Sequence, residues 1–200
     1  MDDHPDIVRN MQQHLKYEFP KGQDRQRLKE LILYIADISE DDPNFGAVKL
    51  NKILYFADAR AYIQFGEPIT GVPYVKLDNG PVPEDFYSVR DEMVAAGDIV
   101  IKARQHFDYV QYKVIALRTP RLDLFTAAEI SVVHEIIQEL REVNAREASE
   151  LSHGRAWQLT PHRERIPYNA AFLSNEGITS EDIMITQRLA MEHNWKVPGR

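Results

Sequence analysis

The chain has 200 residues, no cysteine, a net charge of −7 and a pI near 5.5. Hydrophobic residues make up 44% and charged residues 28%, which is typical of a globular protein and excludes a disordered one. Without cysteine, disulfides and thiolate metal sites are excluded, and a reducing compartment is favoured. The acidic charge disfavours extended binding to nucleic acid, which requires a phosphate-neutralising surface. No apolar run is long enough for a transmembrane helix, and residues 1–10 lack a signal-peptide pattern, so we predict a cytoplasmic protein.

The first 22 residues predict an amphipathic helix that precedes the main domain. Pro20 and Gly22 end its pattern, and a helix placed there would dock either on its own domain or on a partner. We therefore divide the chain into an N-terminal arm, residues 1–22, and a domain, residues 23–200. The apolar stripe of the arm contains Ile7, Val8, Met11 and Leu15.

Two helices are expected to begin the domain, over residues 24–39 and 47–65, with a turn-rich segment between them. The second is the more apolar, so we expect it to be central, with a core stripe of Leu50, Ile53, Leu54, Ala57 and Ala61. Another face of this helix carries Asn51, Tyr55, Asp58 and Tyr62. Because buried polar groups need hydrogen-bond partners, these four residues either form an internal network or line a groove.

Glycine and proline are frequent in residues 66–82, which predicts an ordered loop or a short extended segment. Pro83 is then expected at the first position of a helix that Gly97 caps. Alternating residues predict an antiparallel hairpin at about 98–116, with its turn around Arg104 to Phe107. The expected fold class is α+β and mostly α-helical, a compact helical domain with this one β-hairpin.

The last third of the chain predicts more helices. A capping box at Thr126 begins a helix expected to end near Asn144, and a short helix is expected around 146–153. Residues 154–178 look irregular, and a last helix is expected over 179–193.

No motif for catalysis or metal binding is present. There is no glycine-rich phosphate loop, no HExxH pair and no GxSxG elbow around Ser152. The seven histidines lack ligand spacing, and the adjacent Ser152 and His153 do not by themselves form a nucleophile–base pair. We therefore predict a non-enzymatic protein with no catalytic residue, no metal and no cofactor.

One locally basic stretch contains Arg155, His162, Arg163 and Arg165, with Trp157 and Tyr168 nearby. Basic residues mixed with aromatic ones are typical of sites that bind single-stranded nucleic acid. Glu164 interrupts the stretch and the whole chain is acidic, which favours a solvated loop or a contact with an acidic protein surface.

Three segments together resemble the Panacea domain, also called the SocA-like antitoxin domain. The first is KLNKILYFAD at 49–58, and the third is LSH at 151–153, followed by Ala156 and Trp157. The second runs from PITG at 68–71 through Tyr74 to GPVP at 80–83. The resemblance covers about residues 25–160, and the order and spacing of the three segments make it specific.

The resemblance implies a mostly helical antitoxin that neutralises a toxin encoded beside it by direct protein–protein binding. Members of the family pair with several unrelated toxins, many of which block translation, and some members are phage-associated. The SocA-like branch implies an alternative, a proteolytic adaptor that delivers its toxin to an AAA+ protease. A nucleic-acid-binding regulator and an enzyme that reverses a toxin's modification are further alternatives.

Part of the motif pattern is expected to be structural, because these residues fill a core, fix a turn or start a helix: Leu50, Ile53, Leu54, Gly71, Gly80, Pro81 and Pro83. The candidate partner-binding residues are Ile7, Met11, Leu15, Lys49, Lys52, Tyr55, Tyr74, His153 and Trp157. Blocking a toxin requires roughly 800 Å² of interface per partner, centred on aromatic or arginine anchors. We expect that interface to use the arm and a groove beside Tyr55 and Trp157.

Overall fold

The computed structural model describes residues 25–106, 109–173, 184–185, 188 and 191–192. The predicted arm, with Ile7, Met11 and Leu15, and most of the predicted last helix lie outside the described residues. The helices are α1 (Arg25–Ile38), α2 (Ala47–Phe65), α3 (Phe86–Ala95), α4 (Ala127–Glu139), α5 (Ala145–Leu151) and α6 (Arg155–Leu159). The strands are β1 (Tyr74–Leu77), β2 (Gly80–Pro83), β3 (Ile99–His106), β4 (Tyr109–Ala116) and β5 (Arg165–Ile166). Two 3₁₀ turns lie at Leu122–Leu124 and Tyr168–Phe172, so the α+β, mostly helical class is confirmed.

Helix α2 lies at the centre of the fold, as its composition predicts. Helices α1, α4 and α5, strand β2 and the 3₁₀ turn Tyr168–Phe172 all pack against it. Its apolar face is fully buried and comprises Leu50, Ile53, Leu54, Ala57 and Ala61. No helix in the described part of the chain is long and apolar enough to cross a membrane.

The β structure is more extensive than the single predicted hairpin. Strands β3 and β4 form that hairpin, but their pairing continues to His106 and Tyr109, so the turn is shorter than predicted. A second, three-stranded antiparallel sheet has the order β2-β1-β5, in which Tyr74 pairs with both Pro83 and Ile166. It was not predicted because its strands have two to four residues and include Gly80, Pro81 and Pro83.

Pro83 does not start a helix. It ends β2, an edge strand in which the missing N–H of proline is tolerated, and α3 begins two turn residues later at Phe86. At the other end of α3, Gly97 adopts φ +74 and donates its N–H to the Val94 carbonyl. The N–H of Asp98 reaches the Met93 carbonyl, which completes a Schellman cap and confirms the predicted role of Gly97.

The capping box at Thr126 is confirmed, but α4 ends at Glu139, five residues before the predicted end. Asn144 begins the next helix instead, because its side chain accepts hydrogen bonds from the N–H groups of Arg146 and Glu147. The region predicted as irregular, 154–178, contains α6, β5 and a 3₁₀ turn within its described part.

Candidate functional site

The three motif segments meet at Gly80. This residue has φ +95, and a Cβ added to it would lie 2.2 Å from Ser152 Oγ and 2.7 Å from Lys52 Nζ. Lys52 belongs to the first segment, Gly80 to the second and Ser152 to the third. Both the backbone conformation and the close approach therefore require glycine at this point of the fold.

Lys52 is buried beside this junction. Its ammonium group donates a hydrogen bond of 3.0 Å to the carbonyl of Pro81. Burial lowers the pKa of Lys52 to about 7, because removal from water disfavours the charged form. The amine therefore links α2 to the start of β2, but its charged form is less stable there than in water.

Ser149 attaches α5 to the turn between β1 and β2, because its Oγ donates to the Asn79 carbonyl at 2.5 Å. Ser152 Oγ donates to the Ser149 carbonyl at 2.6 Å, within the last turn of the same helix. Ser152 is buried, and His153 Nε2 has no hydrogen-bond partner among the described residues. These contacts give Ser152 a structural role and do not form a nucleophile–base pair with His153.

His153 and Trp157 form a half-buried stack with ring centroids 3.9 Å apart. Lys76 Nζ lies 4.1 Å from the centre of the Trp157 ring, and Trp157 Nε1 donates to the Leu77 carbonyl at 3.1 Å. Burial, followed by repulsion from Lys52, lowers the pKa of His153 and favours its neutral form.

Asp58 organises a second buried network on α2. Its carboxylate accepts hydrogen bonds from the N–H and hydroxyl of Thr70 and, at 2.8 Å, from the Tyr74 hydroxyl. Tyr168 OH donates to the Val72 carbonyl at 2.6 Å and lies 3.4 Å from the same carboxylate. Burial raises the pKa of Asp58 although the hydrogen bonds oppose that shift. The sequence left open whether this face of α2 forms an internal network or lines a groove. Asp58 belongs to an internal network.

Three candidate surface residues are buried. Lys49 pairs with Asp42 at 2.6 Å and donates to the Arg141 carbonyl, while Lys52 and Tyr74 take part in the networks above. Their predicted exposure is wrong, because distant segments cover them. Among the described candidates, Tyr55, His153 and Trp157 are half-buried and can still reach a partner.

A groove lies beside Tyr55, between α2, the α5–α6 junction and the 3₁₀ turn Tyr168–Phe172. This α2 groove has a volume of about 370 Å³ and is lined by Tyr55, Phe56, Ala59, Arg60, Ile63, Gln64, Leu151, Ser152, Gly154, Ala156, Ala170, Ala171 and Leu173. Ile63 is 48% and Leu151 56% exposed. The sequence indicated Ile63 only as extra apolar surface, and it gave no signal that Leu151 and Leu173 reach the same place. Trp157 does not line the groove.

The basic stretch does not form one continuous patch. Arg165 pairs with Glu84 at 2.6 Å, and His162 Nε2 lies 3.2 Å from Asp78. Tyr168 belongs to the Asp58 network. Among the described residues, no group of three or more acidic or histidine side chains has the arrangement of a metal site.

The comparison with known families agrees with this geometry. The family model described as antitoxin SocA-like, Panacea domain, matches residues 50–158, which is more than half of the chain. The protein therefore belongs to the SocA-like antitoxin family with a Panacea domain. Neither a curated protein nor a solved structure matches the chain significantly. The matched range contains the contact of Gly80 with Lys52 and Ser152, and the Asp58 contacts with Thr70 and Tyr74.

We predict that Gly80→Ala destabilises the fold by about 2 kcal/mol more than Gly97→Ala. Both glycines have positive φ, so both variants incur about 1–2 kcal/mol of backbone strain. Only at Gly80 does the new methyl group also meet Ser152 and Lys52, since nothing lies within 4 Å at Gly97. Urea unfolding of the two variants measures the difference, and equal losses would contradict the close packing.

We predict that Asp58→Ala costs about 3 kcal/mol or more, because the donors on Thr70 and Tyr74 lose their buried acceptor. The matched control is Asp123→Ala, whose side chain is 70% exposed and whose loss should change stability by no more than about 0.5 kcal/mol. Chemical denaturation measures both. A small effect at Asp58 would show that the network is not needed to hold residues 70–74 against α2.

We predict that wild type gains stability relative to Lys52→Met as the pH rises from about 7 towards about 10. The folded-state pKa of Lys52 is about 7 and its ordinary value is 10.5, so the unfolded state binds more protons across this range. The penalty for burying the amine therefore shrinks as pH rises and is greatest at and below about pH 7. Unfolding free energies measured at several pH values test this, because groups common to both proteins cancel. A difference independent of pH would contradict the lowered pKa.

Proposed function

We propose that this protein is a cytoplasmic, non-enzymatic antitoxin that neutralises a cognate protein toxin by direct binding in the α2 groove. Family membership supports the antitoxin class. The main support for this binding site is the apolar rim of the groove, which has a volume of about 370 Å³. The exposed rim residues are Ile63, Leu151 and Leu173. Exposed apolar patches of this kind are typical of interaction surfaces.

The floor of the groove has groups suited to anchoring a partner. Tyr55 contributes an aromatic ring that packs edge-on against Tyr74, with centroids 5.3 Å apart, so its position is fixed. Arg60 is held at the edge by two hydrogen bonds to Glu139, of 2.6 and 2.8 Å. Aromatic and arginine residues in fixed positions are typical centres of binding energy.

The groove alone is smaller than a stable protein interface, which covers roughly 800 Å² on each partner. The proposal therefore includes the surface around the groove, with the His153–Trp157 stack on the adjoining α5–α6 segment. The amphipathic arm, with Ile7, Met11 and Leu15, is proposed to add apolar area to the same interface.

We expect Ile63→Asp and Leu151→Asp each to weaken toxin binding at least tenfold, about 1.4 kcal/mol, because each places a charge in an apolar contact. The test is co-expression with the toxin encoded beside this protein, with growth rescue and affinity of the purified pair as readouts. Val94→Asp is the matched control, since Val94 is 43% exposed on α3 and does not line the groove. Full rescue by both groove variants would refute this docking site, and no rescue by wild type would refute the function.

The fate of the toxin distinguishes direct blocking from delivery to a protease. Blocking by binding alone leaves the half-life of the toxin unchanged while growth is restored. A half-life that shortens only when the AAA+ protease is present would instead support the adaptor alternative.

A further inference from the structure

A second pocket opens on α2 one turn before the groove. This basic pocket has a volume of about 300 Å³, and the lining residues that matter for binding are Asn51, Lys52, Val82, Phe86, Arg90 and Arg163. Arg90 and Arg163 carry positive charge, and burial lowers the pKa of Lys52 to about 7. The acidic Asp78 also lines the pocket, where it lies 3.2 Å from Nε2 of His162, a further lining residue. The pocket therefore has a local excess of positive charge, although the chain as a whole has a net charge of −7.

Asn51, which lines this pocket, has a buried acceptor without a donor among the described residues. Its side chain is 94% buried, since only 6% is exposed, and its Nδ2 donates to the Ala47 carbonyl at 2.9 Å. Its Oδ1 has no hydrogen-bond partner among the described residues. A buried acceptor without a donor is costly, so a ligand that brings an N–H group is favoured here.

The cations of the pocket lack strong internal partners. Within the described part of the chain, Lys52 donates to the neutral carbonyl of Pro81, and no carboxylate forms an ion pair with Lys52 or Arg163. Arg163 is held at φ 65, an uncommon conformation for a residue other than glycine, by a backbone hydrogen bond to Lys76. Arg90 pairs with the exposed Asp91 beside it in sequence, a type of contact that contributes little.

We propose that the basic pocket binds an acidic side chain on an extended peptide segment of the partner, and this rests on the proposed function. The carboxylate would meet Arg90 and Arg163, and the peptide N–H would satisfy Asn51 Oδ1. The aliphatic stem of a glutamate would pack on Val82 and Phe86. A phosphate group offers no N–H to Asn51, and a polyanion is disfavoured by the net charge of the chain.

The basic pocket and the α2 groove are close enough for one partner. Asn51 and Lys52 line the pocket, and Tyr55 and Phe56 line the groove. Four residues of α-helix span about 6 Å, so the two sites lie on successive turns of α2.

The test is an NMR titration of the full ¹⁵N-labelled chain with the blocked tripeptide Ala-Glu-Ala, with Ala-Gln-Ala as its neutral match. We expect the acidic tripeptide alone to shift the Asn51 side-chain amide and the Nε signals of Arg90 and Arg163. Arg163→Gln and Arg90→Gln should each weaken binding about fivefold or more, whereas Arg146→Gln, 88% exposed on α5, should not. The melting temperature of each variant checks that the fold is kept.

Three results would overturn the inference. One is equal binding of the two tripeptides, and another is no shift at about 10 mM peptide, where a millimolar complex is visible. The third is stronger binding of inorganic phosphate, which would make the pocket a simple anion site. If the tripeptide fails while groove variants still abolish neutralisation, the pocket inference fails and the proposed function stands. If the tripeptide binds but the wild-type protein does not rescue growth from the toxin, the proposed function fails and the affinity of the pocket for an acidic peptide stands.

Discussion

The fold depends on charged side chains that α2 carries into the interior, each of which binds a different segment of the chain. Lys49 pairs with Asp42 in the preceding turn and donates to the Arg141 carbonyl after α4, and Lys52 donates to Pro81 at the start of β2. Asp58 accepts from Thr70 and Tyr74, which fixes the segment before β1. Because an unpaired buried charge is strongly destabilising, other placements of these segments are penalised. The helix thereby determines where the loops lie, more than apolar packing alone would.

Because these polar side chains are buried, they do not belong to the surface that a partner can contact. Lys49, Lys52 and Tyr74 satisfy groups within the protein, so they serve the scaffold. The accessible part of the same region is the apolar rim with Ile63 and Leu151. Such a division allows the scaffold to stay fixed while rim residues change, because surface substitutions away from buried networks usually cost little stability.

Features encoded locally could be predicted from the sequence, and those that depend on distant residues could not. Helices α1 and α2 were placed within one residue of their bounds, because the period of an amphipathic helix is a local signal. The β2-β1-β5 sheet could not be predicted, because its strands are short and β5 pairs with a strand about ninety residues earlier in the chain. The burial of Lys49 and Lys52 was missed for a related reason, since lysine is rarely buried and its partners are not neighbours in sequence. The α2 groove likewise combines residues from three separate parts of the chain.

Gly80 lies close to one lining residue of each of the two candidate sites. Ser152 lines the α2 groove, Lys52 lines the basic pocket, and both side chains press against the same glycine. Close packing around Gly80 keeps these two side chains at a nearly constant separation, since protein interiors have low compressibility. A partner that fills the groove and places a carboxylate in the pocket would therefore meet two sites whose spacing is fixed in advance. Preorganisation of this kind favours affinity, because little ordering of the antitoxin remains to be done on binding.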